Sequence, residues 1–178
     1  ALPICFGFKL FSINFFNAPA LVQECADFAQ KQEDMFIELM VVSSSTLVDF
    51  QKLKSIFGTL PVRIHSMHHS EGFDAGNKDL EQQNRTLLSL SQQAADIFDS
   101  PIIIVHAGCG HDEEHLQETA RQFKLFNDKR ILVENLPYIS GQRSGHIPFH
   151  GNTPEEIKHI MDESGCGFCL DFSHAMCA

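Results

Sequence analysis

The chain alternates short apolar runs with amphipathic helical stretches at a period of roughly 30 residues, the size of a βα unit. Six runs qualify as strands: PICFGFKLFS, DMFIELMVV, PVRIHSM, PIIIVHAG, RILVENL and GFCLDFS. They are short, mostly apolar and bounded by turn residues, as parallel strands buried on both faces should be. Helices fit between them. Asn17 is placed to cap one with Pro19 in its first turn, and Leu21, Val22, Cys25, Phe28 and Ala29 would share its buried face. Others are expected from about Leu47 to a stop at Gly58, from Asp79 to Phe98, and from Glu113 to Phe126. On the one from Asp79 to Phe98, Leu80, Leu87, Leu88, Ala94, Ala95 and Ile97 are the candidates for the buried side. In TPEE, Thr153 caps, Pro154 takes the first helical position and Glu156 completes a capping box. Unbroken βα repeats imply an open doubly wound sheet or part of a (β/α)8 barrel. With no linker in sight, residues 1–178 read as one domain.

Composition narrows the classes. In 178 residues, 43% hydrophobic, there is material for a real core. Sixteen Phe against one Tyr and no Trp is unusual, and the crowd of Phe6, Phe8, Phe11, Phe15 and Phe16 is expected to pack inside. No apolar run is long enough to span a bilayer, and ALPICFGFKLF lacks the features of a secretory signal. Six irregularly spaced cysteines read as reduced thiols, hence a cytoplasmic protein. A net charge of −10 gives no general electrostatic reason to bind nucleic acid, though a local basic strip stays open.

The polar residues fall in a pattern. Strand after strand carries an acid–base or metal-competent side chain towards its C-terminal side. These are Glu38, then His65 with His68 and His69, then His106, Glu134, and finally Asp171 with His174. In parallel α/β folds that edge forms the active-site face. Several buried ionisable groups on one apolar wall are costly unless they pair or coordinate a cation. The mixed N/O donors favour Zn²⁺, Mn²⁺, Co²⁺ or Mg²⁺. Rival signals are weaker. CGFC, from Cys166 to Cys169, has no second CxxC and opens a strand rather than a helix. Cys109 is better read as a small apolar residue lining the site than as a nucleophile. HDEEH, from His111 to His115, lacks the glutamate next to the first histidine that a zincin needs, and its acids suit a helix start. The long stretch from Pro137 to Asn152, with GQRSGH inside it, suits a substrate loop.

With VRIHSMH, IIIVHAG, ILVENLP and CLDFSHA in that order, the chain resembles the xylose-isomerase-like TIM-barrel superfamily, which contains sugar and sugar-phosphate isomerases and epimerases and also endonuclease IV. The resemblance implies an α/β fold of (β/α)8 type with about six βα units present. It implies that Glu134 and Asp171 are metal ligands, joined by His65, His106 and His174 in the endonuclease-like members. Glu134 and His174 would act in catalysis, while Glu38, His65, His68 and His106 would contact substrate. IEL at the second strand, and the absence from VVSSSTLVDF of the basic and aromatic residues expected of an endonuclease-IV-like DNA-inserting loop, place the metal-dependent isomerase or epimerase of a small carbohydrate first. A zinc-dependent hydrolase of abasic DNA comes second. Eight units make a barrel, so the intact protein is expected to be longer and this piece to be inactive. Its open edges should promote association, a homo-oligomer included.

Overall fold

A computed structural model describes residues 5–138 and 147–177. Its six strands are β1 (Phe6–Phe11), β2 (Met35–Met40), β3 (Val62–His65), β4 (Ile103–His106), β5 (Ile131–Glu134) and β6 (Gly167–Cys169). They form a parallel sheet ordered β1-β2-β3-β4-β5-β6. That order decides between the two architectures left open by the repeat. A doubly wound sheet reverses its strand order at a switch point. Here each strand is laid down beside the previous one without reversal, as in a TIM barrel. The helices are α1 (Asn14–Asn17), α2 (Pro19–Ala29), α3 (Leu47–Phe57), α4 (Glu81–Phe98), α5 (Glu113–Phe126), α6 (Pro154–Ser164) and α7 (Phe172–Ala175). Among the described residues, no helix is long and apolar enough to cross a membrane.

Chain contacts divide the molecule into two compact units, 1–66 with 89–103, and 67–88 with 104–178. In the first, Ile37, Leu39, Phe50, Leu53, Phe57 and Ile64 are all but excluded from solvent. The α3 helix starts where Thr46 accepts the Asp49 N–H and the Asp49 carboxylate accepts the Thr46 N–H at 2.9 Å, a complete capping box. It stops at Gly58, whose positive φ of 59° lies where a side chain is disfavoured. The expected interior for the N-terminal phenylalanines does not hold. Phe6, Phe11 and Phe16 are exposed, the first by 68%; Phe6 and Phe11 lie on β1, an edge strand, and Phe16 lies on the short α1. Phe8 packs edge-to-face on Phe28, and Phe15 on Phe16, with the Lys52 ammonium over both of the latter rings. They form surface clusters rather than a core.

Nor does Asn17 cap α2. It ends the short α1, and Ala18 holds the cap position ahead of Pro19. The buried stripe of α2 is Val22, Cys25, Ala26 and Ala29, spaced i, i+3, i+4, i+7, which leaves Leu21 and Phe28 outside. On α4, Leu88, Ala94 and Ala95 are buried as expected, while Leu87 and Ile97 are only half-buried, as is Leu80, which lies in a 3₁₀ turn (Lys78–Leu80) ahead of the helix. Asn84 and Ser91 also go inside. In the second unit the Asn84 amide spans the Asp74 backbone, accepting its N–H and donating to its carbonyl, and donates to Gln122 as well.

The second unit carries the C-terminal ends of β4, β5 and β6. Helix α5 begins and ends at the expected residues. At α6, Thr153 accepts the Glu156 N–H, but the Glu156 carboxylate does not return to Thr153. It accepts instead from Gly151 N–H, at 2.8 Å, and Asn152 N–H, and meets His150 Nδ1 at 3.0 Å. This fastens residues 147–151 as a strap over two strand exits. His150 N–H donates to Gly108 and Gly110 N–H to Pro148 on one side, and Leu136 N–H donates to Gly151 on the other. GQRSGH lies outside the described residues. Strand β6 is shorter than expected. It ends at Cys169, because Asp171 turns the chain into α7 by accepting the His174 N–H.

Candidate metal centre at the strand ends of the second unit

His106 is the last residue of β4 and Glu134 the last of β5. Parallel pairing sets β5 and β6 level, with Glu134 opposite Cys169. Asp171 and His174 follow at once, on the cap and in the body of α7. The Glu134 carboxylate is buried and stands 2.8 Å from His106 Nε2. Donor atoms of Glu134, Asp171 and His174 also all lie within 4.8 Å of one another. These side chains could hold a divalent cation, since carboxylates and imidazoles at such spacing are its usual donors.

The surrounding bonds orient the donors. Burial raises the Asp171 pKa, but the Ser173 hydroxyl, the His174 N–H and the His174 ring outweigh it, so the carboxyl sits below its ordinary value. The Ser173 hydroxyl donates to Asp171 at 2.6 Å and the His174 N–H at 2.9 Å. His174 Nδ1 meets the Asn135 carbonyl at 2.9 Å. A carbonyl only accepts, so Nδ1 carries the hydrogen and Nε2 keeps its lone pair. Asn135 is the residue that sequence reasoning missed. Its amide accepts the Asp171 N–H at 2.6 Å and donates to the Asp171 carbonyl at 2.8 Å, tying the exit of β6 to β5. Its place beside Glu134 in ENLP was the available signal, but a polar residue after a strand ordinarily reads as a turn.

His68 adjoins both His69 and His106. The His68 ring stacks on it, with centroids 5.8 Å apart and planes at 21°, and His69 meets Phe149 edge-on at 5.0 Å. The first unit places the other two expected residues. His65 closes β3, fully buried, with Nδ1 donating to the Ser66 carbonyl. Glu38 does not end its strand. It sits level with Lys9 and Arg63, two residues before Met40, and pairs with the Lys9 ammonium at 3.0 Å.

The rival motifs have structural explanations. Asp112 caps α5 by accepting the His115 N–H and also meets His115 Nδ1 at 2.6 Å, which accounts for HDEEH. All six cysteines are free. Burial raises the Cys166 thiol above its ordinary range. Burial, followed by the charge and hydrogen bond of Asp74, pushes Cys109 up to about 12. Cys109 therefore stays a thiol near neutral pH and is unfit as a nucleophile. Iodoacetamide at neutral pH should label exposed Cys5 and Cys177 first, with Cys109 slower by about 10³-fold from its thiolate fraction alone. Peptide mapping over time checks this, and co-equal labelling of Cys109 would contradict its assigned environment.

No protein-family model matches the chain. Over 133 residues it is 28% identical to a probable endonuclease 4 of Mycobacterium ulcerans (strain Agy99), covering 73% of this chain and 51% of that protein. It thus spans about half the length of the curated relatives it matches. In fold it is similar to an AP endonuclease, family 2, from Brucella melitensis, with a TM-score of 0.71 and 16% identity over 97% of this chain and 70% of that one. It is also similar to a D-tagatose 3-epimerase-like protein, with a TM-score of 0.67 and 15% identity over 97% of this chain and 66% of the other.

Proposed function

We propose that this chain, which has the xylose-isomerase-like TIM-barrel fold over six of its strands, carries part of the metal centre of a phosphodiester hydrolase acting on abasic DNA. One observation supports this above others. Glu134 lies 2.8 Å from His106 and is grouped with Asp171 and His174, so a single carboxylate joins two histidines and a second carboxylate in one donor set. Two imidazoles beside two carboxylates suit zinc better than magnesium. A carboxylate shared among several donors suits a cluster of cations, the arrangement used to clamp a phosphoryl group. The sequence likeness to a probable endonuclease 4 supports the same reading.

The donor set fits such ions. Glu134, Asp171, His106 and His174 would hold them, and bound cations would supply Lewis-acid charge to a phosphoryl oxygen and acidify water. The protein's own contribution is placement. Asn135 and Asp171 fix α7, the Asn135 carbonyl fixes the His174 tautomer, and burial of Glu134 keeps competing water from its carboxylate.

A net charge of −10 supports a second reading, an isomerase or epimerase of a small carbohydrate or sugar phosphate working through an enediolate. Against it, Glu38, the residue that had favoured that branch, is engaged with Lys9. Element-resolved metal analysis of the full-length protein, followed by incision of a duplex with one abasic site and by an aldose–ketose interconversion assay, separates the two. Bound zinc with incision is the expected result. Sugar interconversion without incision would replace the first reading by the second, and a protein that takes up no divalent metal would end both.

A further inference from the structure

Glu156 does not do what its place in TPEE asks of it. A glutamate at the third position of a helix ordinarily returns its carboxylate to the N–H of the capping residue. Thr153 still accepts the Glu156 N–H, yet the carboxylate leaves the helix and gathers three donors from the strap. One oxygen accepts the Gly151 N–H at 2.8 Å and the Asn152 N–H at 3.3 Å, and the other meets His150 Nδ1 at 3.0 Å. A carboxylate holds N–H groups about twice as strongly as a neutral acceptor does, so the strap is anchored at Gly151. That glycine is buried, with a φ of 79°, and lies against the exits of β4 and β5. A β-carbon on it would come 3.1 Å from the Ala107 Cβ and 3.6 Å from the Glu134 carbonyl oxygen, so bare backbone fills the gap. Ala107 directly follows His106. Hydrogen bonds reach the same two exits. His150 N–H donates to the Gly108 carbonyl at 3.0 Å, and Leu136 N–H donates to the Gly151 carbonyl at 3.0 Å.

We propose that Glu156 is a positioning residue of the metal centre: by anchoring Gly151 between the two strand exits, it fixes the separation of His106 and Glu134. This rests on the metal centre proposed above and holds whichever reaction that centre performs. His106 and Glu134 end different strands, so the geometry they offer a cation depends on how firmly their two exits are held to each other. The strap bonds to backbone one or two residues beyond each ligand, and Glu156 holds the strap. Glu156 thus acts through the backbone rather than as a ligand. The choice of strap over capping box is what marks it, because the helix alone is served by Thr153.

The test uses the full-length protein with zinc or cobalt as the probe. Zinc affinity is read by competition with a chromophoric chelator, and the geometry of the centre by the visible spectrum of bound cobalt. Glu156→Ala should weaken zinc binding by about 10–100-fold, as for other groups that orient ligands, and should shift the cobalt bands. Glu156→Gln keeps an oxygen for the Gly151 and Asn152 N–H groups, so its loss should be smaller but measurable. Thr153→Ala is the control. It removes the cap of the same helix and leaves the Glu156 carboxylate on the strap, so it should lower stability to urea with zinc affinity and cobalt spectrum as in wild type. If Glu156→Ala does not fold, weaker zinc binding in Glu156→Gln than in Thr153→Ala supports the same role, and parity between the two overturns it. Zinc affinity and cobalt spectrum unchanged in both Glu156 variants, or an equal loss in Thr153→Ala, would sink this inference and leave the metal centre standing. A wild-type protein that takes up no divalent metal would overturn the centre and the role of Glu156 together.

Discussion

Glu134→Gln should empty the centre of metal and abolish activity while leaving the metal-free fold at least as stable as wild type. The carboxylate is buried, 2.8 Å from His106 Nε2, and its donor atom is grouped with those of Asp171 and His174. Two carboxylates that close repel each other when no cation lies between them, so neutralising one relieves the metal-free state. On the proposed reading the same change removes a charged ligand shared by His106, Asp171 and His174. Loss of supporting partners alone costs about 10–100-fold in metal affinity, and loss of a ligand should cost more. Thermal unfolding with and without added zinc reads both effects. Wild type should gain stability on adding zinc, by linkage, and the variant should gain almost none. A variant that kept full metal occupancy would show that Glu134 is not a ligand.

How much of this could be read from the sequence depends on what each residue answers to. His106 and Glu134 were legible because an apolar run four or more residues long fixes a strand, and the strand's C-terminal end fixes the face. Helices α3, α5 and α6 were legible for a similar reason, since caps and terminal glycines are local signals. The errors arose where a side chain's fate depends on strand order. Phe6 and Phe11 look like core residues until β1 proves to be an edge, and Glu38 looks like the end of its strand until the register sets it beside Lys9, two residues earlier. Asp171 was read as part of a strand. Its carboxylate caps α7, a local competition between side chain and backbone that hydrophobic pattern does not record. The orientation of the His174 ring was beyond reach altogether, because it depends on the Asn135 carbonyl beside it.

Asn135→Ala should cost stability and metal together, which separates a residue that positions ligands from one that is a ligand. The Asn135 amide makes a reciprocal pair with Asp171, accepting its N–H and donating to its carbonyl, which also accepts the Ala175 N–H. Alanine would leave the Asp171 N–H without this partner, in a place only partly open to water. At about 1–3 kcal/mol for a group so stranded, the loss should be about 1–3 kcal/mol by urea denaturation. Helix α7 is only four residues long and cannot hold itself in place by its own hydrogen bonds. Asp171 and His174 should therefore sample other positions relative to Glu134, and zinc affinity should fall by about 10–100-fold, as for other groups that orient ligands. The contrast with Glu134→Gln is the informative part. That variant should lose metal without losing stability of the metal-free fold, and Asn135→Ala should lose both. Zinc affinity unchanged in Asn135→Ala would mean that α7 is held by something other than this pair, and that the order of the centre does not depend on the asparagine of ENLP.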